Sequence, residues 1–406
     1  MTQTQSPPLS GDRTAISPRR LSIVHLLHTV AYGGIETLLI NWLLHMDRRH
    51  FDTTLVVFDQ PGAGGSERPF VDAAQRAGLT VRKICWGQFK PVRRSARQLR
   101  GIFDEVHADV LHTHNTYANV VGWYAARGTR IKTLASLYVW SDFGWKRNVL
   151  QRIDEWVLRR FDLLAAQCEQ TRSDTISRGL PADKTVVAIS GLEPDPVCLT
   201  ESERREKRRE LGVDEGEVIL VSVARLYPEK AHDRLLHCFR EIVNRRPQTR
   251  LWIVGTGPLQ ANVEALRCDL GLAATVKMCG FLNDLHGHLR CLDIQVHPSH
   301  GEGVPLAVCS GMASGLPVIA SDVGGLREVI QHGITGILVP PAGDEAFPRR
   351  FVDAVIRLID DGEERRRLGA AARHFIENDY SVAAATRQLE NTYRNLVNAC
   401  ASASSS

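Results

Sequence analysis

The chain has 406 residues, more than one hydrophobic core usually organises, so its length predicts two domains with a crevice between them. Apolar residues make up 43% and charged residues 24%, the composition of a folded globular protein, and a formal charge of +4 is too mild to make nucleic acid the default partner. No apolar run approaches bilayer length and no signal-peptide-like segment opens the chain, while nine cysteines without a C-x-x-C pair point to a reducing cytoplasm.

Residues 1–20 are polar and Pro-containing and read as a disordered tail. From Leu21 short apolar runs alternate with amphipathic stretches: LSIVHLLH, IETLLINWLLHM, TTLVVF, TVRKI, ADVLHT, IKTLASL and DLLAAQ. That rhythm predicts a parallel sheet wrapped by helices over 21–188. Gly33 and Gly34 of AYGGIE fall between the first strand and the first helix, where missing side chains suit either an ordinary turn or close backbone approach to a phosphate. His112 and His114 of DVLHTHN sit at a strand end, and such a pair suits metal or proton movement. No third ligand is apparent nearby, so metal is set aside; one histidine is expected to face the crevice and the other to pack in the core. The stretches FKPVRRSARQLR and WSDFGWKRNVLQRIDEWVLRR mix Arg and Lys with Trp. They are compatible with an anionic membrane surface or a lipid-linked glycan, and equally with a solvated basic helix that packs its Trp inward.

The pattern weakens over 189–200, the predicted linker, and a charged helix, ESERREKRRE, opens a second domain over 201–380. There EVILVSVARL, TRLWIVGTGP, ATVKMCGF, LDIQVHP, LPVIAS and ITGILVP read as strands. Residues 381–399 read as a helix expected to pack back towards the first domain, and 400–406 as a frayed tail. Arg225 and Lys230 follow the first strand of this domain, where a guanidinium fork and a point ammonium suit a diphosphate. The turn Gly255-Thr256-Gly257-Pro258 fails as a dinucleotide fingerprint, because Gln260 stands where the third glycine belongs.

In HPSHGEGVPLAVCSG, Gly303 and Pro305 lead into a helix whose free amides begin at about Leu306 and suit an anion. Glu302 stands at the mouth of that helix. A carboxylate beside an anion site is unfavourable, so Glu302 is read as an acceptor for neutral hydroxyls such as those of a sugar. There is no Walker A sequence, H-E-x-x-H, G-x-S-x-G or Asp-x-Asp pair, which leaves phosphate charge to protein cations and helix dipoles.

Together these residues resemble the retaining glycosyltransferases of family four (group 1). That family has the α/β GT-B architecture, two Rossmann-like domains with parallel sheets facing across a cleft. The resemblance runs from Leu21 to Ala399 and is most specific in EGVPLAVCSGMASGLPVIASDVGGLREVIQHGITGILVP, with VARLYPEKAHDRLL and GGIE in support. It implies a metal-independent, retaining hexosyltransferase without cofactor, using a nucleotide diphosphate sugar as co-substrate and a glycan or lipid-linked glycan as acceptor. It further implies a role in polysaccharide or lipid-linked glycan synthesis, in the cytoplasm or peripherally on the inner face of the membrane.

Carried over residue by residue, the resemblance makes Arg225 and Lys230 the cations of the donor diphosphate and Glu302 the contact to the transferred sugar, these three being the catalytic residues. Gly33 and Gly34 would let the first-domain loop approach the donor. Gly257, Gly303, Val304 and Leu306 would add backbone contacts, and Phe281 beside Gly280 would lie near the base. His114 and Tyr138 are the acceptor-side candidates. Three positions depart from the family pattern. Ser310 stands where a second Glu usually grips the ribose, Leu137 and Tyr138 stand where many members have a His, and Ser190-Gly191 replaces the linker Asn-Gly. The first two keep open a nucleotide-sugar-binding protein without turnover, against which Arg225, Lys230 and Glu302 argue.

Overall fold

The computed structural model describes residues 19–29, 34–60, 67–87, 90–138, 144–193, 197–303, 305–340 and 345–403. Gly33 and Val304 lie outside them. The chain begins β1 (Leu21–Leu27), α1 (Gly34–His45), β2 (Phe51–Asp59), α2 (Arg68–Arg76), β3 (Val81–Cys85), α3 (Val92–Val106), β4 (Val110–Thr113) and α4 (Thr116–Ala126). It continues β5 (Lys132–Leu137), α5 (Gly144–Leu158), β6 (Leu163–Ala166), α6 (Glu169–Ser177) and β7 (Thr185–Val187). These strands form one parallel sheet in the order β3-β2-β1-β4-β5-β6-β7.

The second half runs α7 (Glu201–Glu210), β8 (Val218–Val223), α8 (His232–Arg245), β9 (Thr249–Val254), α9 (Gln260–Asp269), β10 (Val276–Gly280), α10 (Leu285–Leu289) and β11 (Ile294–His297). There follow α11 (Leu306–Ala313), β12 (Val318–Ser321), α12 (Leu326–Val329), β13 (Gly336–Val339), α13 (Phe347–Asp360), α14 (Gly362–Asn378) and α15 (Val382–Ala403). Its strands form a second parallel sheet, β10-β9-β8-β11-β12-β13. This is the GT-B arrangement of two Rossmann-like units.

The strands are near-continuous apolar runs because both faces of each sheet are covered. Along β1, Ile23 and Leu27 pack on the side that also holds Trp42 of α1, whereas Val24 and Leu26 pack with Leu99 and Val121 on the other. β7, absent from the expected strands, is three residues at the sheet edge, too short to leave a periodic signal. α7 carries almost no apolar residue; a Thr200–Glu203 capping box starts it, and Arg204 and Arg208 tie it to Asp293 at 2.7 and 3.0 Å.

Two features join the halves. Val382, Leu389 and Tyr393 of α15 are buried in the core of the first domain, against α1. The 189–200 segment is fastened to the start of α15, with Leu192 N donating to Tyr380 O and Val382 N to Leu192 O, both at 2.9 Å. Gly191 allows this: its φ is +72°, and a Cβ there would stand 2.7 Å from the Ala385 Cβ. The indole of Trp42 donates to Ser190 O at 2.8 Å. Beyond the carboxyl ends of β6 and β12, the Glu328 carboxylate accepts the Glu169 amide at 2.7 Å, so those ends of the two sheets meet.

Candidate functional site

In each sheet the strand order reverses beside the first strand, between β1 and β4 and between β8 and β11. Ligands of open parallel sheets bind beyond the carboxyl ends of strands at such a point. Two cavities, of about 600 Å³ beside Trp252 and about 930 Å³ beside Trp123, include residues at the amino ends of strands. Neither contains any of the expected site residues.

After β8 the chain turns outward through Arg225, passes a 3-10 turn at Pro228–Lys230 and enters α8. The turn after β9 packs directly on this loop. A Cβ on Gly257 would stand 2.5 Å from Leu226 O, and Leu226 N donates to Thr256 O at 3.0 Å. After β11 the chain returns to the same place. Lys230 Nζ lies 2.6 Å from Glu302 Oε1, Ser299 Oγ donates to the same oxygen at 2.9 Å, and His297 Nε2 also bonds to it. Gly325 N holds the Glu302 carbonyl at 3.0 Å.

The side chains of Lys230 and Glu302 are only 15% and 6% exposed. Burial pushes the Glu302 carboxyl up, but His297 and Lys230 outweigh it and hold the group at about 2, so it is ionised. The residues expected to serve the diphosphate and the sugar thus hold each other. Sequence reasoning passed over His297 and Ser299, although both stand in the quoted HPSHGEG stretch. It also passed over His232, buried at the start of α8 with neither ring nitrogen partnered among the described residues. Burial first, then the nearby His297, lowers the His232 pKa to about 4.

The other expected donor residues are dispersed around this cluster. α11 begins at Leu306, after Gly303, with no side-chain cap at its amino end. Ser310 is buried and donates to Leu306 O at 3.1 Å, so its hydroxyl serves its own helix. The Arg225 guanidinium lies 4.8 Å from the Tyr227 ring centre, and Phe281 after β10 is 76% exposed. Gly34 opens α1 in the first domain.

The two acceptor-side candidates come together. His114 and Tyr138 line a cavity of about 210 Å³ at the carboxyl ends of β4 and β5, with Ser136, Asn115, Thr116 and Asp154. Asp154, from α5, was not anticipated. Its oxygens accept from Thr116 Oγ1 at 2.9 Å and Asn119 Nδ2 at 2.8 Å, and burial raises its pKa to about 6 against those bonds. No Lys or Arg contributes to this wall among the described residues.

Behind the cavity the expectation of a histidine pair without a third ligand is overturned. Register places His25 of β1 directly opposite His112 of β4, and His114 follows on the same face. All three are fully buried, and each offers a nitrogen within 4.8 Å of the others. They contain no thiolate or carboxylate, and their nitrogens are engaged by one another and by hydroxyl groups. His25 Nδ1 lies 3.1 Å from His114 Nε2, and His112 lies 2.7 Å from the Tyr393 hydroxyl and 2.8 Å from Ser136 Oγ. Burial lowers the pKa of His25 to about 3, and burial with mutual repulsion lowers those of His112 and His114 well below the usual value.

The model of the family "Glycosyl transferases group 1" matches residues 203–375, and that of the "Glycosyl transferase 4-like domain" matches 33–190. A D-inositol 3-phosphate glycosyltransferase of Geodermatophilus obscurus is 30% identical over 378 residues, covering 83% of this chain and 81% of the relative. The chain belongs to the group 1 glycosyltransferases of family four. A second relative of the same description, the D-inositol 3-phosphate glycosyltransferase of Thermobifida fusca, is 25% identical over 419 residues, covering 91% of this glycosyltransferase and 92% of that relative. Among solved structures, Anabaena HepE in complex with UDP superposes with a TM-score of 0.80 at 21% identity, covering 92% of this chain and all of HepE. HepE has also been solved with UDP-glucose. In this glycosyltransferase the two family matches meet at the segment fastened to α15, and the Lys230–Glu302 cluster falls in the group 1 half.

Proposed function

We propose that this glycosyltransferase binds a nucleoside diphosphate sugar at the carboxyl ends of β8 and β11 and transfers the sugar, with retention at the anomeric carbon, to an acceptor hydroxyl. The observation that carries the reading is the part-buried Lys230–Glu302 pair, 2.6 Å apart, at the switch point of the second sheet. A diphosphate offers Lys230 more charge than one carboxylate does. Exchange of partners would therefore place the ammonium on phosphate and leave Glu302, still held by His297 and Ser299, to accept from sugar hydroxyls. In the transfer, the bond from the anomeric carbon to the phosphate oxygen breaks with its electron pair passing to the diphosphate. The acceptor oxygen bonds to that carbon, and its proton goes to a phosphate oxygen. Lys230, Arg225 and the first amides of α11 meet the charge that develops on the leaving group. No metal is assigned to the step. HepE, solved with UDP and UDP-glucose, makes uridine donors the first to examine.

The acceptor is assigned to the cavity of His114, Tyr138 and Asp154, whose wall suits the hydroxyls of a glycan or lipid-linked glycan. Beside it, α5 exposes Val149, Ile153 and Trp156 at helical spacing, and neighbouring α4 exposes Tyr124. Arg160 lies 3.5 Å over the Trp156 ring, and Arg127 caps the carboxyl end of α4. An apolar stripe edged by arginines supports a peripheral role on an anionic membrane carrying a lipid-linked acceptor. No described helix is long and apolar enough to cross a membrane.

A thermal-shift screen of UDP-, GDP-, ADP- and TDP-sugars tests the donor, followed by nucleotide release with and without Lys230→Ala. Stabilisation plus Lys230-dependent release is expected, with an α- or β-configured product matching the donor by proton NMR. No stabilisation by any donor would overturn the reading.

A further inference from the structure

The three buried imidazoles belong to a larger figure. From the cavity wall, the Tyr138 hydroxyl lies 3.3 Å from His114 Nδ1, and His114 Nε2 lies 3.1 Å from His25 Nδ1. His25 Nε2 lies 3.5 Å from the Tyr393 hydroxyl, which lies 2.7 Å from His112 Nδ1. His112 Nε2 then reaches Ser136 Oγ at 2.8 Å, and Ser136, like Tyr138, lines the cavity. Six side chains therefore form a continuous series of contacts that begins and ends on the cavity wall. One member, Tyr393, comes from α15 at the far end of the chain.

A neutral imidazole donates through one nitrogen and accepts through the other, and a hydroxyl both donates and accepts. The series consequently has two consistent senses. If Tyr138 donates to His114, each imidazole in turn carries its proton on Nε2. In the reverse sense all three carry it on Nδ1. A mixed set would oppose like groups of His25 and His114, or leave the buried Tyr393 proton or an imidazole lone pair without a partner, which is costly.

We propose that Tyr393 is a positioning residue for the cavity: by joining His25 to His112 it holds His25, His112 and His114 in one common tautomer and so fixes the direction in which Tyr138 and Ser136 present their protons to a bound hydroxyl. The identity of that hydroxyl as the acceptor's rests on the function proposed above; the series does not. A hydroxyl entering the cavity chooses between the two senses, and the choice is transmitted as a unit to α15.

The test is nitrogen-15 NMR on the full-length protein with labelled histidine, using the two-bond correlations that distinguish the tautomers. All three buried imidazoles are expected to show the same neutral tautomer. Tyr393→Phe keeps the aromatic ring in the core but removes the link, and is expected to release His112 from the tautomer shared by His25 and His114. Ser136→Ala leaves the Tyr393 link intact and is expected to keep the shared tautomer. With an active donor and acceptor pair, Tyr393→Phe should raise the acceptor KM roughly tenfold and leave the donor KM unchanged, as loss of one buried hydrogen bond implies. Unlike tautomers in the parent protein, or an unchanged His112 tautomer in Tyr393→Phe, would overturn the proposal. So would metal-shifted resonances that a chelator abolishes, because ligation would consume the lone pairs the series needs. If no donor or acceptor is ever found, the function fails while the tautomer result still decides the role of Tyr393.

Discussion

Lys230 and Glu302, 72 positions apart in sequence, close an ion pair of 2.6 Å whose two partners are almost withdrawn from water. The pair satisfies this cluster internally. A ligand there has to exchange for an existing contact, so both residues bear on stability as well as on binding.

Removing one partner strands the other. Lys230→Ala is expected to cost about 1–3 kcal/mol of stability, the penalty for leaving a buried charge less well partnered, because His297 and Ser299 still hold Glu302. It should lower nucleotide release by roughly a hundredfold or more, as loss of an electrostatic contact to the leaving group does. The double variant Lys230→Met/Glu302→Gln should recover most of the stability and none of the turnover. Urea unfolding beside nucleotide release separates the two effects; a single variant with parental donor affinity would contradict the donor assignment.

Asp154 gives the reaction an acid limb. Its carboxyl sits at about 6, so acceptor use should fall as pH drops through that value and the group gains a proton. Asp154→Asn should raise the acceptor KM at pH 7.5 and flatten that limb while leaving donor affinity alone. A pH profile identical to the parent's would remove Asp154 from the acceptor site.

Acid should also loosen the fold, through different groups. The pKa of His25 is depressed to about 3, and those of His112 and His114 are depressed as well. The unfolded chain takes up these protons below about pH 6.5 while the folded chain refuses them. The stability these groups contribute is therefore complete above that pH and declines as pH falls towards the folded values, by about 1.4 kcal/mol per pH unit for each imidazole. Melting temperatures at pH 7 and pH 5 measure this. An unchanged value would mean that the imidazoles charge in place.

Gly191→Ala tests the fastening of α15. A Cβ placed 2.7 Å from Ala385, on a backbone of φ +72°, forces either strain or displacement of the helix. A loss of about 1–3 kcal/mol is expected, as for other overpacked core sites. Ser190→Ala, which keeps the carbonyl that Trp42 uses, should be milder by the same urea titration.

Ile153→Ser/Trp156→Ser should weaken sedimentation with anionic vesicles at low salt and leave donor binding intact, because the stripe lies on α5, away from the donor cluster. Equal sedimentation of parent and variant, or none of either, would exclude this face as a membrane contact.

The fold was legible because its strands are contiguous apolar runs separated by helical stretches, a local property of the sequence. The site was legible only in part. Strand-end position drew attention to Arg225, Lys230 and Glu302, but the Lys230–Glu302 contact depends on two loops meeting, which no spacing encodes. His25 reads as one more residue of an apolar run until register sets it opposite His112. Tyr393 looks like core, and it is, yet its hydroxyl lies 281 positions from its partner His112. Ser310 is a different case: it stands where the family pattern has a ribose-gripping Glu, and its hydroxyl bonds to Leu306 O within the helix. For Trp156 the sequence left inward and outward packing open, and 46% exposure decides for outward.

The burial of α15 in the first domain also separates the order of synthesis from the order of folding. A ribosome emits residues 21–188 early, but Val382, Leu389 and Tyr393, which complete that domain's core, emerge last. The first half of the chain must wait with an open apolar face while the second half is made. The domain translated second is thus the first to have all its own parts, and premature termination anywhere before α15 spares the second domain while leaving the first unsealed.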